Sequence, residues 1–399
     1  MTPGTQRIPR VSTNLYGRSA IDDPYPVYRR LREAGPVVHL TRHRALGVTT
    51  YDACRQVLLA DDTFVSGEGV GMNALVNRLG RRTTLNSDGE VHAGRRKLVA
   101  HRLLPRALRS MQDAVHAGAT EVADAAVRRG RVDGVADIAR ALPLRVVPDL
   151  VGWPADERKD LLPWAAATFD VLGPWNGATL RAAPASVTML RFAKRIVRTG
   201  NVIPGSLGAD ILAAVDDGAI TRADASALLV DYLAPSLDTT ISAISSALLL
   251  FARHPDQWEM VRADPSLLGN AVNEVVRFES PLRAFSRRSV RDTVIGDVGV
   301  PAGSRVVVIY ASANRDERAW TDPDVFDIRR DAGSHLGFGR GAHSCAGQGL
   351  ARLESTALLA ALAERVARIE LVDVPRWGRN NIIRWLSSLP LRLHPDRSL

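Results

Sequence analysis

One cysteine in a glycine-rich run places the strongest constraint on how this chain can fold. Residues 338–347 read Phe-Gly-Arg-Gly-Ala-His-Ser-Cys-Ala-Gly, and a helical pattern begins directly afterwards at Gln348. The three glycines allow the backbone to wrap closely around the sulfur of Cys345, and the start of the helix places free amides and a positive dipole beside it. These features favour a cysteine that stays deprotonated and binds a soft metal.

Two other interpretations of this run have to be weighed. A lone cysteine in a protein of this kind is more often a small buried hydrophobic residue than a ligand. Residues 337–342 also match the loose dinucleotide-binding fingerprint, but that fingerprint needs a β-branched strand before it, and residues 331–335 do not form one. The dinucleotide interpretation is therefore poor, and a metal-binding role for Cys345 depends on further motifs along the chain.

The composition is that of an ordinary globular protein. The chain has 399 residues, 46% hydrophobic and 24% charged, and length alone suggests two or three domains. Its only two cysteines, Cys54 and Cys345, lie far apart, which argues against a disulfide framework and favours a reducing cytoplasm. Residues 1–14 contain no apolar leader, and no stretch of about 20 apolar residues occurs, so we expect a cytoplasmic protein without a membrane anchor.

The charge balance is basic. The net charge of +9 comes from 52 Lys and Arg against 43 Asp and Glu. Nucleic-acid binding would account for this charge, but no recognition module or interleaving of arginine with aromatic residues is present. A basic face that docks an acidic protein partner is the better interpretation.

Helical periodicity dominates the pattern of hydrophobic residues. Strand signals are short: residues 36–40 and 45–49 are expected to pair as a hairpin, and 305–310 is a third β-branched run. The chain is therefore predicted to be mainly α with small β-sheets. The predicted helices are 27–34, 105–129, 155–172, 184–198, 222–253, 256–263, 267–279 and 346–368.

The cysteine run resembles the haem-binding loop of the cytochrome P-450 family. Its fixed slots match except the basic one, which Arg340 and His343 flank. The resemblance implies a single large haem domain over residues 1–399, with an N-terminal arm at 1–20, a haem-thiolate loop at 336–347, and haem b as cofactor. The residues that it assigns to the haem loop are the iron ligand Cys345 and the cofactor contacts Phe338, Gly339, His343 and Gly347.

A second match lies upstream of the loop. Glu274 and Arg277 are three residues apart on a predicted helix, a spacing that usually produces a surface ion pair. Their order and distance from Arg330 resemble the Glu-x-x-Arg helix and partner arginine of the family. The resemblance implies a buried triad of Glu274, Arg277 and Arg330 that holds the loop presenting Cys345.

Four basic residues match positions that bind the haem propionates in the family. His92 and Arg96 lie four residues apart on one helical face, which in isolation would be an ordinary solvated surface. By resemblance this pair, together with Arg287 and His343, contacts the two propionates. Four cationic or hydrogen-bonding groups suit two carboxylates.

The long predicted helix contains the acid–alcohol pair Asp238 and Thr239. By resemblance these two residues supply and relay protons for oxygen activation, although a threonine hydroxyl also commonly bonds a carbonyl four residues back. The sequence departs from the family at Pro235 and Ser236, where an alanine or glycine followed by glycine is usual. Proline removes an amide and kinks helices, so we expect it to open the groove and Ser236 to lie near the oxygen site.

The substrate-binding residues are the hardest to predict. The chain is most similar to a bacterial subgroup that includes oxidisers of small aromatic acids, which hold a carboxylate with polar and basic groups, whereas this chain carries Glu68 and Asp231. Such acidic residues are usually solvated. If both faced the pocket, an amine-bearing substrate would fit better than an acid. The expected substrate contacts are Glu68, Asp231, Ala234, Leu282, Phe285 and Leu386.

These motifs together predict a haem-thiolate monooxygenase that is a cytoplasmic monomer. It would use O2 and electrons from a ferredoxin and ferredoxin reductase to oxidise a small or mid-sized organic molecule, which we expect to belong to secondary metabolism. The alternatives are oxidative C–N or C–C coupling of an amino-acid- or peptide-derived substrate, and oxidation of aromatic acids. A haem protein that only binds ligands is a further alternative, against which Asp238 and Thr239 argue.

Overall fold

The computed structural model describes residues 7–396, apart from the side chains of residues 233 and 234. Helices make up most of this part of the chain, which confirms the predicted mainly α class. The helices are α1 (Arg18–Asp22), α2 (Tyr25–Ala34), α3 (Tyr51–Leu59), α4 (Ala74–Leu79), α5 (Gly89–Ala100), α6 (Pro105–Arg129), α7 (Pro143–Val151), α8 (Leu161–Val171), α9 (Gly177–Thr199), α10 (Leu207–Asp216), α11 (Arg222–Arg253), α12 (Pro255–Ala263), α13 (Leu268–Glu279), α14 (Tyr310–Ala313) and α15 (Gln348–Arg365).

The strands are short and lie to one side of the helices. The largest sheet has the order β1-β2-β3-β9-β6-β4, and smaller sheets have the orders β10-β13-β5, β11-β12 and β7-β8. The strands are β1 (Arg10–Val11), β2 (Val37–Leu40), β3 (Ala45–Val48), β4 (Phe64–Val65), β5 (Arg131–Asp133), β6 (Phe285–Ser289), β7 (Thr293–Ile295), β8 (Val298–Val300), β9 (Arg305–Val308), β10 (Val366–Leu371), β11 (Arg376–Trp377), β12 (Leu386–Ser388) and β13 (Pro390–Pro395).

Local sequence signals explain where the elements begin and end. The predicted hairpin is formed by the antiparallel pair β2 and β3, and β9 adds to it in parallel. Helix α9 starts earlier than predicted because the side chain of Asn176 caps the amides of Ala178 and Thr179. Helix α8 is shorter than predicted because residues 155–157 form a separate 3₁₀ turn after Pro154.

The long helix α11 passes through the centre of the main hydrophobic core. Thr221 and Asp224 form a capping box at its start. By length and composition this is the one described helix that could cross a membrane, but three quarters of its most apolar window is buried inside the protein. Burial of this kind is also what the core helix of a globular domain requires.

A smaller core lies between the main sheet and α3, and it contains Cys54. This side chain is fully buried, and its sulfur lies 3.3 Å from the carbonyl oxygen of Val48. Burial raises the pKa of the Cys54 thiol. Cys54 therefore acts as a small core residue, which is the common role that a lone cysteine fills.

Candidate active site

The loop before α15 forms a tight turn that presents the sulfur of Cys345. Gly339 and Gly341 adopt φ angles of 69° and 71°, a region that favours glycine. A side chain at Gly341 would place its Cβ 2.6 Å from the carbonyl oxygen of Leu58. The amide of Cys345 donates to the carbonyl of Phe338 at 2.8 Å, which closes the turn.

The surroundings of Cys345 do not by themselves keep its thiol ionised. Burial raises the pKa of Cys345, and the opposing effects of the backbone amides of Gly347 and Gln348 and of nearby Arg96 and Arg352 are smaller. Without a metal ion, burial therefore outweighs the loop amides and the nearby arginines in setting the pKa of this thiol. A bound metal ion deprotonates a coordinating thiol outright and supplies the missing stabilisation.

A buried charge cluster lies behind this loop. Glu274 and Arg277 of α13 are fully buried, with their nearest ion-pair atoms 2.6 Å apart. The guanidinium of Arg330 lies 3.3 Å from Glu274 and is 14% exposed. The structure thus brings together the three residues that the sequence predicted to form a triad.

The cluster is connected to the cysteine loop through one asparagine. Arg277 donates to the backbone carbonyl of Asn314 at 2.8 Å. The side chain of Asn314 accepts a hydrogen bond from the amide of Leu336 at 2.7 Å and donates to Ser280 at 2.9 Å. Because Leu336 is the first residue of the loop 336–347, these bonds fix where the loop starts relative to α13.

A cavity of about 640 Å³ lies between the cysteine loop and α11. Cys345 borders it, so the thiol is exposed to the cavity although protein surrounds it. Most of the walls away from Cys345 are apolar. Apolar residues along these walls include Leu75, Val76, Phe169, Leu172, Met189, Val230, Leu282 and Phe285.

Hydrogen-bond donors gather at one side of the cavity. His92, Arg96, Arg287 and His343 all border it. The rings of His92 and His343 stack with centroids 4.1 Å apart, and His343 lies 3.6 Å from Asp88. Burial, His343 and Arg96 together lower the pKa of His92 to about 4, which keeps its imidazole neutral near pH 7.

The haem b that the sequence resemblance implies fits these residues. Within residues 7–396, neither Arg96 nor the buried Arg287 forms an ion pair, so two cations border the cavity without an acidic partner. Two propionates would provide such partners. A side chain at Gly347 would meet nothing within 4 Å, so the backbone beside Cys345 leaves room for a flat group.

Side chains of α11 line the cavity opposite Cys345. The hydroxyl of Thr239 donates to the carbonyl of Pro235 at 2.8 Å, and that of Ser236 donates to Tyr232 at 2.6 Å. Pro235 does not end the helix, which continues from Arg222 to Arg253. The two hydroxyls bond helix carbonyls, which is the alternative that the sequence analysis left open for Thr239.

Asp238 lies on another side of the same helix and does not border the cavity. Burial raises the pKa of Asp238 to about 7, the positive charge of Arg140 opposes this shift, and Asp170 adds to it. A carboxyl group with this pKa can gain or lose a proton near neutral pH. It occupies the junction of α11 with α8 and the turn that contains Arg140.

Only some of the predicted substrate residues border the cavity. Leu282 and Phe285 border the cavity, while the side chain of Ala234 lies outside the described residues. Glu68 does not border the cavity: it is exposed, because its loop is tied down by Asp88 and directs the carboxylate to solvent. Leu386 is also outside the cavity, since its strand places it in the main core.

Asp231 borders the cavity, but its carboxylate has partners within the chain. One oxygen accepts hydrogen bonds from the amides of Thr84 at 2.6 Å and Leu85 at 3.4 Å. Burial raises the pKa of Asp231 to about 6 despite these bonds. With Glu68 outside and Asp231 paired, the two observations that favoured an amine-bearing substrate no longer support it.

The sequence analysis missed several polar residues that organise the site. Asn314 joins the charge cluster to the loop, and Arg140 and Asp170 flank Asp238. Glu354 of α15 is fully buried, and both of its carboxylate oxygens lack a hydrogen-bond partner in the described part of the chain. Asn314 lies in the run 313–316 that accompanies the triad match, but its bond to the loop depends on a distant segment, as do the roles of the other residues.

Comparisons with known proteins agree with the geometry. A sequence profile of the cytochrome P450 family matches residues 203–366. CYP199A2 from Rhodopseudomonas palustris is 38% identical over 97% of this chain and 95% of that protein. The 6-deoxyerythronolide B hydroxylase of Saccharopolyspora erythraea is 31% identical, over 93% of this chain and 96% of its own length.

A solved structure shows the same architecture. P450BioI, crystallised with an acyl carrier protein that carries hexadec-9Z-enoic acid, superposes with a TM-score of 0.86 at 25% identity. The match covers 94% of this chain and all of that one. The cysteine loop, the buried triad and the similarity over nearly the whole length identify this chain as a member of the bacterial cytochrome P450 monooxygenases, with haem b as its cofactor.

Proposed function

We propose that this enzyme oxidises a small or mid-sized, largely apolar organic molecule of secondary metabolism by inserting one oxygen atom. The observation that carries the proposal is the cavity, which joins Cys345 to the hydroxyls of α11 and has apolar walls beyond them. The relative named above as 6-deoxyerythronolide B hydroxylase supports a role in secondary metabolism.

Residues in different parts of the cavity would have different roles in the reaction. Haem with a thiolate ligand supplies oxygen activation and O–O cleavage. Cys345 would hold the iron, and His92, Arg96, Arg287 and His343 would bind and orient the two propionates. The apolar walls would exclude water from the reacting end of the cavity.

Proton supply would come from α11. Asp238, with its pKa near 7, would hold a proton between solvent and the cavity side of the helix. Thr239 and Ser236 would take part by turning their hydroxyls from the helix carbonyls of Pro235 and Tyr232 towards the cavity.

Electrons would come from a ferredoxin and its reductase, as they generally do in bacterial enzymes of this family. We infer that the enzyme is a cytoplasmic monomer. The ferredoxin would dock on it near the start of α15. Leu108 of α6 lies against Gly349 of α15, and Arg106 and Arg109 on either side of Leu108 are exposed. Charge reversal of Arg109 should slow reduction by an acidic ferredoxin, most strongly at low salt.

The decisive test is the ferrous–carbon monoxide spectrum. The purified protein should give the red-shifted Soret band of thiolate ligation, and Cys345→Ser should abolish it. Cys54→Ala is the matched control, because Cys54 is buried in the smaller core and should leave the band in place. A Cys345→Ser protein that kept the band would overturn the assignment.

Two further measurements refine the mechanism. Thr239→Ala should retain substrate binding but release more hydrogen peroxide per electron consumed, with Thr240→Ala as the neighbouring control. Unchanged coupling would move this role to Ser236. Product mass separates the candidate reactions, because oxygen insertion adds one oxygen atom whereas oxidative coupling removes two hydrogens.

A further inference from the structure

Residues 80–88 connect α4 to α5 and contain no helix or strand. Part of this segment forms one wall of the cavity. Gly80 and the four residues from Thr83 to Asn86 border the cavity. We refer to residues 80–86 as the wall loop. Because the wall loop has little regular structure, the side chains that tie it to the rest of the protein determine where this wall stands.

Two ties come from different helices. From α11, the carboxylate of Asp231 accepts the amides of Thr84 at 2.6 Å and Leu85 at 3.4 Å. From α5, Arg95 donates to the carbonyls of Arg81 at 2.9 Å and Thr83 at 3.1 Å. The wall loop is therefore held between an acceptor on one helix and a donor on another.

A surface ion pair is the third tie. Arg82 of the wall loop lies 2.9 Å from Asp224, and Arg95 lies 3.6 Å from the same carboxylate. Arg82 is more than half exposed, so solvent screens this contact. The bonds to Asp231 are partly buried and lie at the cavity.

The charged groups around Asp231 are few. Arg95 from α5 is the cation that stabilises its ionised form, and the wall loop contributes backbone amides. On α11 itself the neighbour is Tyr232, whose own pKa is raised by burial, so its hydroxyl stays neutral. One oxygen of the carboxylate is thus engaged with the wall loop, and Arg95 is the cation nearest to it in this part of the cavity wall.

We propose that Asp231 is a positioning residue that fixes the wall loop against α11 and thereby sets where this wall of the cavity stands. This inference rests on the proposed function, since the cavity it shapes is the site of oxidation. The oxygen of Asp231 that accepts the amides of Thr84 and Leu85 is the anchor of this wall.

Hydrogen exchange in the haem-bound protein tests this assignment. Asp231→Ala should speed amide exchange of the peptide containing Thr84 and Leu85 about tenfold. Asp231→Asn should have a smaller effect, because its amide oxygen can still accept one N–H. Glu90→Gln on α5, which removes an exposed carboxylate that forms no ion pair in the described part of the chain, should change nothing.

A pH profile separates positioning by Asp231 from a general loss of stability. The pKa of Asp231 is about 6 with the wall loop in place and returns towards its ordinary value when the loop opens. The closed form therefore binds more protons between about pH 4 and pH 6, so raising the pH across this range should favour opening, with little further change at higher pH. This pH dependence, corrected for intrinsic exchange, should disappear in Asp231→Asn.

Failure of the positioning role of Asp231 can be distinguished from failure of the proposed function. If the ferrous–carbon monoxide spectrum lacks the thiolate band, the proposed function fails. If the band is present and Asp231→Ala leaves both exchange of the wall loop and tryptic cleavage at the exposed Arg81 and Arg82 unchanged, the positioning role is wrong. Should Asp231→Ala fail to fold, the same comparison is made with Asp231→Asn, whose unchanged pH profile would be equally contradictory.

Discussion

The two sides of the cavity are held in place by different means. Beneath Cys345, the proximal wall consists of the loop 336–347 and the cluster around Glu274, Arg277 and Asn314, where buried charges bond to backbone carbonyls. On the far side, the roof consists of residues 71–79 and 171–176, and it is joined by a few hydrogen bonds at a rim that leaves Leu79 and Trp175 more than half exposed. The proximal wall therefore resists change, whereas the roof is suited to movement.

The hydrogen bonds within the roof illustrate this contrast. Asn73 donates to the carbonyls of Val171 at 2.9 Å and Gly173 at 3.1 Å, and the amide of Met72 donates to Leu172 at 2.7 Å. These contacts join the segment before α4 to the end of α8, and Leu172 packs in a small buried cluster that is separate from the main core. Local opening of such a region costs less than global unfolding.

The largest expected effect on stability comes from removing one charge from the proximal wall. Arg277→Ala leaves the fully buried Glu274 without its closest partner, so we expect a loss of about 3–5 kcal/mol in the free energy of unfolding and poor haem retention. Chemical denaturation and haem content measure both. Arg330→Ala is the control, since this partly exposed arginine should cost less; equal losses would show that the three charges act as one unit.

A smaller but pH-dependent effect is expected at Glu354. Burial raises the pKa of Glu354 to about 8 from its ordinary value of 4.5. Between these values the folded state keeps a proton that the unfolded state releases, so stability falls as pH rises, by up to about 1.4 kcal/mol per pH unit. Glu354→Gln removes this titration, and its stability relative to the parent should rise from about pH 5 to pH 8. A difference that does not vary with pH would contradict the buried, unpaired state of Glu354.

Two glycines of the cysteine loop allow a matched test of backbone strain. Gly341→Ala should cost about 1–3 kcal/mol, because its φ is positive and the new Cβ would meet the carbonyl of Leu58. Gly347→Ala should cost the apoprotein much less, since its φ of −86° is ordinary and nothing lies within 4 Å. Thermal unfolding of both apoproteins gives the comparison. Equal costs would refute the strain argument.

The smallest change in global stability is expected in the roof. Asn73→Ala removes the cap of α4 and two bonds to residues 171 and 173, so the expected loss is about 1 kcal/mol. Ligand association and dissociation should nevertheless become faster, which stopped-flow spectroscopy can measure. A stability loss as large as that of Arg277→Ala would mean that the roof is part of the core.

The same contrast explains what could be predicted from the sequence. The mainly α class, the bounds of α6 and α11, and the grouping of Glu274, Arg277 and Arg330 were accessible, because helical periodicity is local and the family motifs have fixed spacing. Glu68 and Leu386 were misassigned to the cavity because their orientation depends on Asp88 and on the β11–β12 pairing, which are distant in sequence. The partners of Asp231 were hidden for the same reason, since backbone amides 147 and 146 residues away leave no signal in side-chain patterns.

The burial of Cys54 has a practical consequence for studying electron transfer. The chain contains two cysteines, one enclosed in the smaller core and the other assigned to the iron. A cysteine introduced at an exposed position outside the proposed docking site, such as Val374, would therefore be the sole thiol accessible to a maleimide dye or spin label. Distances to a docked redox protein could then be measured without first removing either native cysteine.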